Sequence, residues 1–379
     1  MTEILDHYKY FNLLDKTCNI DESQRFATFK GKQMETLTLG TGNSQELRVA
    51  IDKAVDHLEE GSIVALPTET VYGLAANALN AEACASIFEA KQRPNFDPLI
   101  VHVSGQEMLD SVAEIPDNIA DVTYTLIKEF WPGALTFILP KKEIVPDIVT
   151  SGLQTVAVRR SKNKIFAEII NSLESPIAAP SANRFGSISP TSAAAVNIEL
   201  SGVIPLIIDG GACSEGVEST IIKVEPSEKK KPIIKILRPG PVTPEMLKKF
   251  GKIEKNQSHL DETSSLTSPG QLDSHYAPKT PLRVLASPDE FKLDCSKSYA
   301  LLSYRGQRKD GYLELCEWSH IETLSPGSGK LPEAAVRFFY SLRKLDELGV
   351  DEIISEPIPE RGIGLAIMDR LKRASHQFN

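Results

Sequence analysis

Four cations stand where the chain turns or stiffens. Lys91 and Arg93 open KQRPNFDPL (residues 91–99), Arg159 closes the run TVAVR, and Arg238 lies in LRPG. Lys91 and Arg93 end an expected helix, and Pro94 and Pro98 then restrict the path of the chain. Two cations held together on such a path suit a polyphosphate or a carboxylate. The alternative is that both complement the helix dipole and face water. Arg159 and Arg160 are adjacent in a strand, so alternation sends them to opposite faces, and at most one enters a site. Arg159 falls on the face of Thr155 and Ala157. His102 sits inside the apolar run LIVHV, where it is either a binding imidazole or a satisfied core residue.

Hydroxyls cluster at the ends of expected strands, where α/β folds place their ligands. PTETVYG (67–73) offers three hydroxyls and a carboxylate within seven residues, including Thr70. PSANRFGSISPT (180–191) supplies Ser181, Asn183, Ser187, Ser189 and Thr191 around Gly186. Such a loop can bind phosphate as an anion nest, or be an ordinary Ser/Pro-rich surface loop. GGACSEGVEST (210–220) enters a strand through Ser219 and Thr220, and SPGQLDSHYAP (268–278) carries His275 and Tyr276 in a polar stretch. The aromatic pair folds back over a ligand or packs between domains. Neither G-x-x-x-x-G-K-[ST] nor G-x-G-x-x-G after a strand occurs, and there is no G-x-S-x-G elbow. Nucleotide chemistry here must use cations, hydroxyls and backbone amides without a protein nucleophile.

These residues need a scaffold, and the pattern predicts one. Leu47, Ala50, Ile51, Ala54, Val55 and Leu58 recur at helical spacing, with Ser44 as the cap and Gly61 as the stop. Strands are expected at 62–66, 99–103, 135–139, 155–159, 177–179, 206–209, 219–224 and 233–237. Helices are expected at 80–91, 104–114, 116–130, 162–173 and 192–200. The alternation predicts an α/β domain over 44–240, and its late run of strands a mixed sheet. Residues 1–43 read as an N-terminal extension with a loose lead-in at 36–43. Residues 241–280, with DETSSLTSPG, read as a linker folding over the site. A smaller α/β domain over 281–379 has strands near 282–286, 299–303 and 351–355, and helices around Ala335–Leu348 and Ile363–Ala374.

Composition bounds the rest. An apolar fraction of 41% with 25% charged residues excludes wholesale disorder. No run of about 18 apolar residues reads as a membrane span, and the N-terminus lacks the apolar core of a secretory signal. Five scattered cysteines without a C-x-x-C pair read as reduced thiols in the cytoplasm, and no His/Cys cluster suggests a metal site. A net charge of −9 argues against bulk nucleic-acid binding.

In order, PTETVYGL, K-x-R-P-x-x-x-P-L-I-V-H, FWPGALT, TVAVR, PIAAPSAN…SPT, DGG…GVEST, LRPG and PG…HYAP resemble the YrdC/YciO-like family, specifically the two-domain threonylcarbamoyl-AMP synthases. They span about residues 46–278, and EPIPERGIGLAIMDRLKRAS resembles the ending of the extra domain. The resemblance implies a YrdC-like mixed twisted sheet flanked by helices, followed by a smaller Rossmann-like α/β domain. It also implies a reaction: L-threonine, bicarbonate and ATP, with Mg²⁺ on the phosphates, give L-threonylcarbamoyladenylate and pyrophosphate. The product feeds threonylcarbamoyladenosine formation in tRNA, completed by a separate transferase. By motif position, Thr70, His102, Arg159, Ala179 and Ser219 hold threonine. Arg93, Asp97, Thr155, Ser181, Asn183, Ser189, Arg238, His275 and Tyr276 hold ATP, with Lys91 and Arg93 as catalytic cations. Ala75 and Asp97 stand where glycine and asparagine are common.

Two other readings compete. One is an RNA- or ribosome-associated module without synthase activity, which 18 Lys/Arg against 25 Asp/Glu over residues 41–240 weakens. The other is a carbamoyl transferase of the hydrogenase-maturation kind, whose zinc-finger and acylphosphatase-like segments are not visible.

Overall fold

The computed structural model describes residues 34–94, 97–228, 231–255 and 276–375. In chain order the larger sheet and its helices comprise β1 (Leu37–Gly40), α1 (Ser44–Glu59), β2 (Val64–Leu66), β3 (Gly73–Asn77), α2 (Ala81–Lys91), β4 (Ile100–His102), α3 (Gln106–Val112), α4 (Asp117–Phe130), β5 (Leu135–Pro140), α5 (Asp147–Thr150) and β6 (Thr155–Arg159). There follow α6 (Lys164–Leu173), β7 (Ile177–Ala178), α7 (Ala193–Leu200), β8 (Leu206–Asp209), β9 (Thr220–Glu225), β10 (Ile233–Arg238), α8 (Pro244–Leu247) and β11 (Lys252–Lys255). The smaller sheet has β12 (Leu282–Val284), β13 (Tyr299–Ser303), β14 (His320–Thr323), α9 (Leu331–Asp346), β15 (Glu352–Ser355) and α10 (Gly364–Ser375).

The eleven strands of the larger sheet run in the order β1-β8-β2-β3-β7-β4-β6-β5-β9-β10-β11, with parallel and antiparallel pairs mixed. The smaller sheet, β12-β15-β13-β14, is parallel throughout. This is the architecture expected: a mixed sheet flanked by helices and a second, parallel α/β unit. Helix starts follow side-chain chemistry. The Oδ1 atoms of Asn43, Asn80 and Asn163 each accept two backbone amides at the first turns of α1, α2 and α6. Asn43, rather than Ser44, therefore caps α1.

Several elements depart from the sequence reading. The lead-in at 36–43 contains β1, an edge strand whose polar backbone is satisfied by β8, about 170 residues away, with Leu37 paired to Leu206. Within the expected linker, β11 extends the sheet by pairing with β10. Non-local partners of this kind leave no local periodicity. β3 (GLAAN) was not expected, because glycine and alanine are poor strand formers; burial between β2 and β7 overrides that preference. β14 (HIET) is likewise polar and held by β13.

The core lies on both faces of the larger sheet. One face packs Leu74, Val101, Phe137, Val158 and Ile222 under α2 and α4; the other packs Leu66 and Ile208 against Ile51, Leu58, Phe166 and Ile169 of α1 and α6. Each such fully buried side chain contributes about 1.5–3 kcal/mol. A further cluster joins the smaller sheet to the larger: Phe338, Phe339, Ile353 and Ile367 pack with Val71, Ile188, Val217 and Tyr276. No helix among the described residues is long and apolar enough to cross a membrane.

Candidate active site

β4 and β6 are adjacent and parallel, and their register sets His102 directly opposite Arg159. Alternation resolves the arginine pair as the sequence indicates: Arg159 is buried and Arg160 exposed. Arg159 donates through Nη1 to Thr70 Oγ1 (3.0 Å), and its Nη2 lies 2.7 Å from Glu69 Oε1. Burial pushes the Glu69 carboxyl upward, but the Arg159 charge and the Ser161 hydroxyl outweigh it, and the pKa ends below the ordinary value. The PTETVYG loop is thereby anchored to the end of β6.

That loop is laced to PSANRFGSISPT by its backbone: Leu74 N donates to Pro180 O, Ala182 N to Tyr72 O, and Tyr72 N to Pro190 O. Gly73 allows the approach, since a Cβ there would meet the Ala179 Cβ at 3.1 Å. Around this junction lies a cavity of about 50 Å³, whose wall includes Thr70, Arg93, His102, Arg159, Ala179, Ser181, Arg238 and Tyr276. Eight of the residues singled out from the sequence, drawn from six separate segments, thus share one wall. His102 is buried, and neither ring nitrogen has a hydrogen-bond partner of good geometry among the described residues. Burial, reinforced by the Arg159 charge, pushes its pKa down to about 3, so the imidazole is neutral at physiological pH.

Other expected residues stand behind the wall. Lys91 is buried with Nζ donating to the carbonyls of Ser181 (2.6 Å) and Asn183. It is not on the wall: a long side chain from the last turn of α2 finds backbone acceptors before it reaches the cavity. Burial first, then the Arg93 charge, lower its pKa well below the ordinary lysine value. Asn183 spends its amide nitrogen on the carbonyls of Arg184 and Ser187. Ser219, fully buried, bonds Thr136 Oγ1 (2.8 Å) and receives Arg238 Nη2 (3.1 Å). Ser189 donates to Glu218 Oε1 at 2.5 Å.

Arg93 reaches back along its own loop, donating Nε to Asp97 O (3.0 Å) and Nη2 to Pro98 O (2.9 Å), with Asp97 Oδ2 2.8 Å away. Asp97 and Thr155 are not on the wall. Thr155 opens β6 while Arg159 closes it, roughly 13 Å apart at strand rise. Extending the register of Ile100 with Ala157 brings Thr155 beside Pro98, which does line the cavity. These two residues lie at the opposite end of the strand pair from His102 and Arg159. His275 lies outside the described residues.

The sequence reading did not single out Glu218 or Arg370. Glu218 lines the cavity and pairs with Arg370, which belongs to α10 of the smaller unit and is fully buried. A signal for Arg370 existed, since it falls on the apolar stripe Ala366, Ile367, Leu371 and Ala374. Among the described residues no group of three His, Cys, Asp or Glu side chains could hold a metal ion.

The matches to known proteins cover both units. A family model described as "Telomere recombination" matches residues 56–240, and one described as "Threonylcarbamoyl-AMP synthase, C-terminal domain" matches 242–376. A threonylcarbamoyl-AMP synthase of Pyrococcus abyssi is 41% identical over 326 residues, covering 85% of this chain and 93% of the relative. The chain belongs to the threonylcarbamoyl-AMP synthase family. The Bacillus subtilis synthase is 39% identical, over 86% of this chain and 92% of its own. The crystal structure of a P. abyssi synthase-family protein complexed with L-threonine superposes with a TM-score of 0.77 at 36% identity, covering 90% of this chain and 98% of that one.

Proposed function

We propose that this cavity joins L-threonine, bicarbonate and ATP into L-threonylcarbamoyladenylate, releasing pyrophosphate, for the threonylcarbamoyladenosine modification of tRNA. The observation that carries the reading is the buried corner of Arg159, Thr70 and His102, which shares one wall with Arg93 and Arg238. The deprotonated threonine amine attacks CO2, formed from bicarbonate with loss of water, to give a carbamate and a released proton. A carbamate oxygen then attacks the α-phosphorus of ATP, and pyrophosphate leaves. The reacting atoms are all substrate atoms, so the protein's task is to hold several anions together and stabilise charge growing at phosphorus.

Thr70, His102, Arg159 and Ala179 hold threonine, with the Arg159 guanidinium on its carboxylate, and Ser219 supports them from behind the wall by fixing Arg238. The His102 imidazole, whose ring nitrogens have no hydrogen bond of good geometry among the described residues, gives the threonine hydroxyl a partner that valine would leave unsatisfied, which is a strong source of selectivity. Arg93, Ser181, Arg238 and Tyr276 hold ATP; Asp97 and Thr155 extend that site toward the far end of β6, Asn183 and Ser189 support it from behind the wall, and His275 is a further contact by motif position alone. Arg93 is the catalytic cation. Lys91 acts through the Ser181 and Asn183 carbonyls, as a positioning residue rather than a direct contact. A magnesium ion, small and hard, would arrive on the phosphates with few protein ligands. The product passes to a separate tRNA transferase in the cytoplasm.

Purified protein given threonine, bicarbonate and ATP, without RNA, should yield the adenylate by mass spectrometry with threonine-dependent pyrophosphate. No adenylate from folded, magnesium-supplied protein overturns the reading.

A further inference from the structure

A second, larger cavity of about 650 Å³ lies in the smaller unit, at the carboxyl ends of its parallel strands. Its wall is built from the residues that leave each strand: Tyr304 and Arg305 after β13, Glu356 after β15, and Tyr312, Asp310 and Arg361 from the loops beyond. Topology makes this end special. β13 leads to β14 on one side of the sheet, whereas β15 leads to α10, which packs over β12 on the other. β13 and β15 are neighbours, so their connections diverge and open a crevice between them, the position where parallel α/β sheets take ligands.

The chemistry of the wall is specific. Glu356 is buried and accepts from the Ser303 hydroxyl and the Tyr304 amide. A carboxylate has about four acceptor positions, so capacity remains for a ligand. Burial raises the Glu356 pKa, a desolvation cost that donors from a ligand would relieve. Arg305 is held by Asp310 at 3.1 Å, and its guanidinium lies 5.8 Å from the Tyr304 ring centroid. Arg361 is exposed, and among the described residues it has no ion-pair partner. Tyr304 and Tyr312 back the wall as buried rings, their hydroxyls donating to Gly329 O and Leu285 O, and Pro357 and Pro359 stiffen the rim.

We propose that this crevice is a second binding site, for a free mononucleotide. Glu356 takes the ribose hydroxyls and Arg361 with Arg305 takes the phosphate, so the site reads the ribose phosphate of the nucleotide. Nothing in this assignment depends on the reaction in the larger unit.

Hydrogen-exchange mass spectrometry of the full chain with AMP separates the two sites, because each has its own peptides. AMP at millimolar concentration should slow exchange in residues 302–312 and 354–362. Arg361→Ala, a surface change that leaves the fold intact, should weaken that protection about tenfold or more, and Glu356→Gln should do likewise. Threonine-dependent pyrophosphate release should be unchanged in Arg361→Ala. Absent protection in these segments overturns the proposal, as does equal protection by inorganic phosphate or protection indifferent to Arg361→Ala.

Discussion

Arg370 Nε lies 3.1 Å from Glu218 Oε2, joining residues 152 positions apart. Glu218 faces the cavity and also takes the Ser189 hydroxyl, while Arg370 donates to Pro239 O and lies 5.6 Å from the Tyr276 ring centroid. The last helix of the chain thus supplies the counter-charge for a carboxylate in the site of the larger unit. Burial works against the Arg370 charge, but the surrounding anionic groups hold its pKa above the ordinary value.

Arg370→Ala would leave Glu218 buried without its partner and should cost about 3–5 kcal/mol in chemical denaturation. The double variant Arg370→Ala/Glu218→Gln should cost clearly less than the sum of the two singles. Simple additivity would mean that the two residues are not coupled.

Lys91 and Arg93 should separate by readout. Arg93→Lys keeps a cation opposite Asp97 but cannot reproduce the two carbonyl bonds of the guanidinium. It should lower kcat by at least about tenfold, and the freed Asp97 and Pro98 carbonyls should lower Tm as well. Lys91→Met frees the Ser181 and Asn183 carbonyls and should lower Tm and raise the KM for ATP together. Thermal melts beside pyrophosphate kinetics decide the matter; an unchanged Tm in Lys91→Met would remove its positioning role.

Most of the site could be read from sequence because its parts are compact motifs at strand ends. Thr70, His102, Arg159, Ala179 and Ser181 each sit where a strand stops, and the strand pattern locates those stops. Division of labour among them was not legible. Whether Lys91 reaches the cavity depends on the carbonyls of a loop 90 residues away, and Glu218 acquires its role from α10. β1 and β11 escaped for a similar reason: each exists only through a distant partner strand.

His102 gives the acid limb of stability a testable shape. Unfolded, its imidazole takes a proton near pH 6.5; folded, only near 3, because burial and Arg159 disfavour the charge. Between those values the unfolded chain binds the extra proton. The stabilisation is therefore complete above about pH 6.5 and falls as the pH drops toward 3, by up to about 1.4 kcal/mol per pH unit. His102→Gln should show a shallower acid loss over this window in urea titrations at fixed pH. An identical slope would mean that the folded imidazole titrates normally.

Gly216 tests how the smaller unit positions the loop that carries Glu218 and Ser219. It has a φ of +73°, and a Cβ there would lie 2.2 Å from Ala335 O and 2.4 Å from Val336 Cα, both backbone atoms of α9. Gly152 has a φ of +78° but open space around the Cβ position. Gly152→Ala should therefore cost only the left-handed backbone penalty, about 1–2 kcal/mol. Gly216→Ala carries that penalty plus a backbone collision that only movement of the loop away from α9 can relieve. It should lose more stability and, by displacing Glu218, also lose kcat/KM. Equal melting temperatures for the two variants would show that the loop does not depend on its contact with α9.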